Sequence, residues 1–66
     1  MLLSISIYSL KHDHIKTFQS SDYDNEAKLS NAVKDYCKSN ARCYEIIYVY
    51  SDGHIDREDV SDVYDI

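Results

Sequence analysis

Two short clusters of histidine and aspartate are the first candidates for chemistry in this sequence. They are His12-Asp13-His14 and His54-Ile55-Asp56, and imidazole with carboxylate is a set of ligands that suits zinc or another divalent ion. The spacing supports a metal site poorly, because the chain has no helical H-x-x-x-H pair and no cysteine pair at zinc-ligand separation. We therefore expect solvated turns at both places and no bound metal.

Nucleophilic catalysis would have to use a thiol. Cys37 and Cys43 are the two cysteines, and Cys37 with a histidine base is a conceivable pair. The chain has no G-x-S-x-G elbow, and a single glycine excludes the glycine-rich loops that bind phosphate through backbone N–H groups. A chain of 66 residues also has little room for a closed site. The sequence predicts a non-enzymatic protein without a cofactor.

The distribution of charge is the strongest chemical signal. Residues 1–50 hold six acids and six bases, which cancel, whereas residues 51–66 hold six acids against Arg57 alone, so the last sixteen residues supply the whole net charge of −5. Five aspartates recur every three or four residues: Asp52, Asp56, Asp59, Asp62 and Asp65. Such a row of carboxylates can imitate a nucleic-acid backbone and occupy the basic groove of a protein, or it can form a solvated acidic tail. Direct binding of nucleic acid is disfavoured.

The element that positions these groups is the apolar run 43–50. It is rich in β-branched and aromatic residues, which predicts a central strand. Its side chains alternate between two faces that are both mostly apolar, and we expect Ile47 and Val49 to face the helix. That choice places a second set of side chains on the open face: Tyr8, Tyr44, Ile46, Tyr48 and Tyr50. Tyrosines suit a contact surface, although they are also compatible with an ordinary amphipathic sheet.

The first half of the chain predicts a hairpin followed by a helix. Residues 2–10 alternate, with Leu3, Ile5 and Ile7 on the buried side, and residues 15–19 form the second strand. A helix over 24–39 carries one buried stripe: Leu29, Ala32, Val33, Tyr36 and Cys37. Asp22 or Ser21 is the expected N-cap and Asn40 a left-handed C-cap.

The second half predicts another hairpin. Asp52-Gly53 is a strong turn signal, and residues 54–58 form the return strand. Residues 58–66 are either a short helix or an extended acidic tail. The fold class is thus α+β: a small two-layer sandwich of ββαββ order with one helix on an antiparallel sheet. We expect a single domain over 1–66, with an acidic C-terminal segment over 57–66, in the cytoplasm and with no membrane span or signal peptide.

In size, acidity and the absence of both a targeting signal and an active site, the chain resembles the small acidic α/β proteins that phages encode. Many of those proteins, the anti-CRISPR proteins among them, inhibit host defence or transcription enzymes. The resemblance implies an inhibitor in the host cytoplasm that binds a basic, nucleic-acid-binding surface of a host protein. The residues expected to bind the partner are Tyr8, Tyr44, Tyr48, Tyr50, Asp56, Glu58, Asp59 and Asp62.

Two other functions stay open from the sequence. The first is a homodimer or higher oligomer, formed through the tyrosines or an unpaired strand edge, which would enlarge a marginal core. The second is a protein that sequesters a small ligand such as a nucleotide, with His12, His14 or His54 binding an anion between subunits.

Overall fold

The computed structural model describes residues 1–60, which form a four-stranded sheet with one helix packed on it. The elements are β1 (Leu2–Tyr8), β2 (His14–Gln19), a 3₁₀ turn (Ser20–Asp22), α1 (Glu26–Ser39), β3 (Glu45–Tyr50) and β4 (Ile55–Asp59). All neighbouring strands are antiparallel, in the order β2-β1-β3-β4. The predicted α+β class and ββαββ order are confirmed. Within residues 1–60, no helix is long and apolar enough to cross a membrane.

The buried side of β1 differs from the prediction at one residue. Ile5 and Ile7 are buried as expected, but Leu2 is 6% exposed and Leu3 is 44% exposed. The pairing of β1 with β3 shifts register between Leu2 and Ser4. An irregularity of this kind breaks the alternation of side chains, and for this reason Leu2 takes the core position that we predicted for Leu3.

The face of β3 that contacts the helix was predicted wrongly. Ile46 is fully buried in the core, and Tyr48 and Tyr50 pack against that core on the helix side. Ile47 and Val49 are half-buried on the other side of the sheet. The open face therefore does not carry Ile46, Tyr48 and Tyr50.

Pairing with β1 explains this orientation of β3. Ile7 pairs with Ile46, and Ile5 pairs with Tyr48. Directly paired residues point to the same side of a sheet. Since Ile5 and Ile7 contact the helix, their partners on β3 face it as well.

The helix begins two residues later than predicted. Its N-cap is Asn25, whose side chain accepts a hydrogen bond of 2.9 Å from the Lys28 N–H. The predicted caps, Ser21 and Asp22, lie in the preceding 3₁₀ turn. An asparagine oxygen satisfies a free first-turn N–H as well as aspartate does, so the sequence alone did not separate the three.

The predicted stripe of the helix is confirmed, and its C-cap is corrected. Leu29, Val33 and Cys37 are buried, with Ala32 and Tyr36 packed beside them. Asn40 follows the helix as predicted, but its φ is −130°, so it is extended and not left-handed. Its N–H donates to the Cys37 carbonyl oxygen at 3.3 Å.

The Asp-Gly turn between β3 and β4 is confirmed. Gly53 has a φ of +90°, a conformation that glycine adopts without a steric penalty, and the Tyr50 N–H donates to the His54 carbonyl oxygen at 2.9 Å. Residues 57–59 of the acidic segment belong to β4. The choice between a terminal helix and an extended tail falls largely on 61–66, which lie outside the described residues.

Candidate functional site

The hairpin of β3 and β4 presents tyrosines and carboxylates together on the helix side of the sheet. Asp56 pairs with Tyr48, and Glu58 pairs with Ile46, so both carboxylates point to the same side as the core. The helix does not cover them, because residues 55–58 are all exposed. We call this group the hairpin surface: Tyr48, Tyr50, His54, Asp56 and Glu58.

Tyr48 links the hairpin surface to the hydrophobic core. Its ring packs against the core, and Glu58, which pairs with Ile46, lies on the same side of the hairpin. Burial of the phenol, followed by the charge and hydrogen bond of Glu58, raises the pKa of Tyr48 to about 12. The phenol is therefore neutral at physiological pH, beside the charged Glu58.

His54 connects the turn to the same surface. Its ring lies 5.5 Å from the Tyr50 ring, and its Nε2 lies 2.8 Å from Oδ1 of Asp56. Its backbone N–H donates to Oδ1 of Asp52 at 2.9 Å. The predicted His54 and Asp56 cluster thus exists as a contact pair, but among residues 1–60 no three histidine, cysteine or acidic side chains come close enough to hold a metal ion.

The other predicted binding residues lie elsewhere. Tyr8 and Asp59 both pair with Glu45, on the side of the sheet opposite to the hairpin surface. Tyr44 precedes β3 at the end of the sheet away from the Asp-Gly turn and is 43% exposed. Asp62 lies outside the described residues. The structure therefore brings four predicted residues together, Tyr48, Tyr50, Asp56 and Glu58. Tyr8, Tyr44 and Asp59 are not part of this group.

A second polar group lies on the open side of the sheet, and the sequence analysis did not predict it. Glu45 is 2% exposed and is the one charged residue that is buried among residues 1–60. The Arg57 guanidinium donates to its Oε2, and Nδ1 of His12 lies 3.3 Å from its Oε1. We call these three residues the Glu45 cluster. The sequence signal was an acid within an apolar strand, but its partners stand 12 and 33 residues away, and only the fold shows that they meet.

The two groups differ in what they can do. In the Glu45 cluster, a buried carboxylate is enclosed by its own two partners, an arrangement that ties β4 and the β1–β2 turn to β3. In the hairpin surface, exposed carboxylates lie beside half-buried aromatic rings, an arrangement that can accept cations from another molecule. The chain matches no protein-family model, no curated protein and no solved structure, so its function is inferred from these groups alone.

Proposed function

We propose that the protein is a small acidic binding module without enzymatic activity, which inhibits a host protein by covering a basic surface. The observation that carries this proposal is the hairpin surface. Tyr48, Tyr50, Asp56 and Glu58 lie on one side of an exposed edge hairpin, where a partner can reach all four at once.

The tyrosines would supply most of the affinity. Both rings pack against the core at one side, so they lose little rotamer freedom when a partner covers them. Tyrosine is enriched among residues that dominate the free energy of protein association. We therefore assign Tyr48 and Tyr50 the role of anchors.

The carboxylates would attract and orient the partner. Asp56 and Glu58 stand two residues apart on one side of a strand, which separates their Cα atoms by about 7 Å. Two adjacent anions of this kind suit a protein groove that normally binds the phosphates of nucleic acid. Exposed carboxylates act mainly on the association rate, and salt screens them beyond about 10 Å at 0.1 M.

The partner that fits this chemistry is a nucleic-acid-binding protein of the host cytoplasm. That is the class of target blocked by the phage anti-defence and anti-CRISPR proteins that the chain resembles in size and charge. The net charge of −5 supports a basic partner and disfavours nucleic acid itself.

The test compares two variants that remove the same charge from different places. Tagged protein is incubated with host lysate at low and at high salt, and bound proteins are identified by mass spectrometry. Asp56→Asn with Glu58→Gln alters the hairpin surface, whereas Glu26→Gln with Asp35→Asn alters exposed positions on the helix. We expect a nucleic-acid-binding protein to be captured at low salt, released at high salt and lost only with the first variant.

Tyr50→Ala should abolish the same capture while the circular dichroism spectrum keeps its native form. Added duplex DNA or RNA should compete with the protein for its partner. Equal capture by both charge variants would overturn the assignment of the hairpin surface. Capture that nucleic acid does not reduce would overturn the proposed mode of inhibition.

Self-association is the second candidate, and the open side of the sheet favours it. Ile55 is 60% exposed there, next to its half-buried partner Val49. A homodimer through this side would leave the hairpin surface accessible. It predicts a dimer mass by light scattering and a melting temperature that rises with protein concentration, both lost in Ile55→Ser.

A further inference from the structure

A surface pocket at the far end of the sheet lies between the β1–β2 turn and the loop that joins α1 to β3. Its volume is about 430 Å³. Lys11 and Arg42 bring two cations to its wall and Asp13 one carboxylate, and the exposed side chains of Leu10 and Tyr44 line it as well. Cys43 is part of the same wall. The pocket is thus a partly apolar, net cationic site on an acidic protein, and it contains a thiol residue.

A second thiol lies behind the first. Cys43 is half-buried and packs against the core to which Cys37 belongs, close enough for the Cys37 thiol to raise the pKa of Cys43. Cys37 is 6% exposed in the last turn of α1. Two backbone hydrogen bonds fold the connection tightly, from the Asn40 N–H to the Cys37 oxygen and from the Cys43 N–H to the Asn40 oxygen. No disulfide joins the two cysteines in this structure, and the short connection keeps them near each other.

We propose that Cys43 exchanges with an anionic small-molecule disulfide of the glutathione disulfide type, and that Cys37 resolves the adduct into a Cys37–Cys43 disulfide. The assignment rests on the positions of the two thiols relative to the pocket. The pocket is open to solvent and Cys43 lies at its wall, whereas Cys37 is buried and is not part of that wall.

The chemistry consists of two successive exchanges. The Cys43 thiolate attacks one sulfur of glutathione disulfide, forms a mixed disulfide and expels a glutathione thiolate, which takes up the proton that Cys43 lost. The Cys37 thiolate then attacks the Cys43 sulfur and expels the second glutathione. The two protein thiols are oxidised to one disulfide, and one glutathione disulfide is reduced to two glutathione molecules.

The charges of the pocket select the disulfide. The carboxylates of glutathione disulfide would be attracted by Lys11 and Arg42, whereas a cationic disulfide such as cystamine would be repelled by them. Asp13 opposes this preference in part, so a net cationic wall remains.

The rate should depend steeply on pH. Burial, followed by the hydrogen bond and charge of Cys37, raises the pKa of Cys43 to about 12, against the opposing effect of Arg42. The thiolate is the attacking form, and its fraction grows about tenfold per pH unit below the pKa. Exchange should therefore be slow at neutral pH and accelerate from pH 7 to pH 9. The other charged groups at the pocket are Lys11 and Asp13.

The experiment uses the full reduced chain with glutathione disulfide, quenched in acid and analysed by intact mass. We expect the wild type to lose two hydrogens without retaining glutathione, and dithiothreitol to reverse the change. Cys37→Ala, chosen because alanine leaves no buried hydroxyl, should retain one glutathionyl group. Cys43→Ser should stay unmodified over the same time.

The ligand preference is measured as the ratio of the rate with glutathione disulfide to the rate with cystamine. Each rate is first divided by the rate at which the same reagent modifies the chain in urea. We expect the folded wild type to favour glutathione disulfide several-fold and Lys11→Gln with Arg42→Gln to lose that preference. Reaction of Cys43→Ser at the wild-type rate, a stable glutathione adduct on the wild type, or no reaction up to pH 9 would overturn the proposal. A folded wild type that favours cystamine would overturn the role of the cations.

Discussion

The two sides of the sheet differ sharply, although β3 is apolar on both. On the helix side, β1 contributes Ile5 and Ile7, which are buried. On the open side, β1 contributes Ser4 and Ser6, and the Ser6 hydroxyl lies 3.0 Å from the Thr17 hydroxyl of β2. The helix covers the side on which β1 and β3 are both apolar. The register of β3 with β1 thus decides which apolar face of β3 meets the helix, since a slip of one residue would exchange the two faces.

The largest effect should come from comparing adjacent residues of β3 that point to opposite sides. Ile46→Ala removes a fully buried side chain and should lower the free energy of unfolding by about 3 kcal/mol. Ile47→Ala changes a half-buried side chain and should lower it by less than about 1 kcal/mol. Urea unfolding followed by circular dichroism measures both. Equal losses would contradict the deeper burial of Ile46, and a larger loss at Ile47 would mean that the helix packs on the Ile47 side.

An intermediate effect should come from the one charged group buried on the open side of the described chain. Arg57→Met leaves the Glu45 carboxylate buried with His12 as its remaining partner, and we expect a loss of about 2 kcal/mol from the cost of an underpaired buried charge. The double variant Glu45→Met with Arg57→Met replaces the pair by apolar side chains and should be more stable than Arg57→Met alone.

Urea unfolding at neutral pH gives both values for the Glu45 cluster. An Arg57→Met variant as stable as the wild type would show that Glu45 is hydrated in solution. A double variant less stable than Arg57→Met would show that the carboxylate contributes to the fold even without the guanidinium.

The smallest effect concerns the helix side at alkaline pH. The pKa of Tyr48 is about 12 in the fold and about 10 in the unfolded chain. Stability from the neutral phenol is therefore fully present below pH 10 and is lost as the pH rises to 12. Tyr48→Phe should reduce the fall in melting temperature between pH 10 and 12, and Glu58→Gln should reduce it less. A Tyr48→Phe variant that loses stability as steeply as the wild type would contradict this account.

Features with a local cause were predictable from the sequence. The alternation of β1 from Ser4 onwards, the apolar stripe of α1 and the Asp52-Gly53 turn each depend on residues close together in the chain, and each is present. The presence of Tyr48, Tyr50, Asp56 and Glu58 on one hairpin was also predictable, since the Asp-Gly turn joins their strands. The side of the sheet that they share was predicted wrongly.

Features that depend on pairing between distant segments were not predictable. The orientation of β3 follows from its register with β1, and the exposure of Leu3 follows from the irregularity next to it. The Glu45 cluster needs His12 and Arg57, which come from two different connections to β3. In each case a single sequence gives the residues but not the register that decides which of them meet.

The central place of β1 in the sheet has a consequence for the kinetics of folding. The hairpins β1–β2 and β3–β4 each pair strands that are close in the sequence. The pairing of β1 with β3 instead joins Leu2 to Tyr50 and Tyr8 to Glu45, which are 48 and 37 residues apart. Closing such a loop costs about 1 kcal/mol more conformational entropy than closing a ten-residue hairpin. A two-stranded hairpin alone is at best marginally stable in water. Docking of the two hairpins along β1 and β3 should therefore limit the rate, and the sheet should form in one cooperative step.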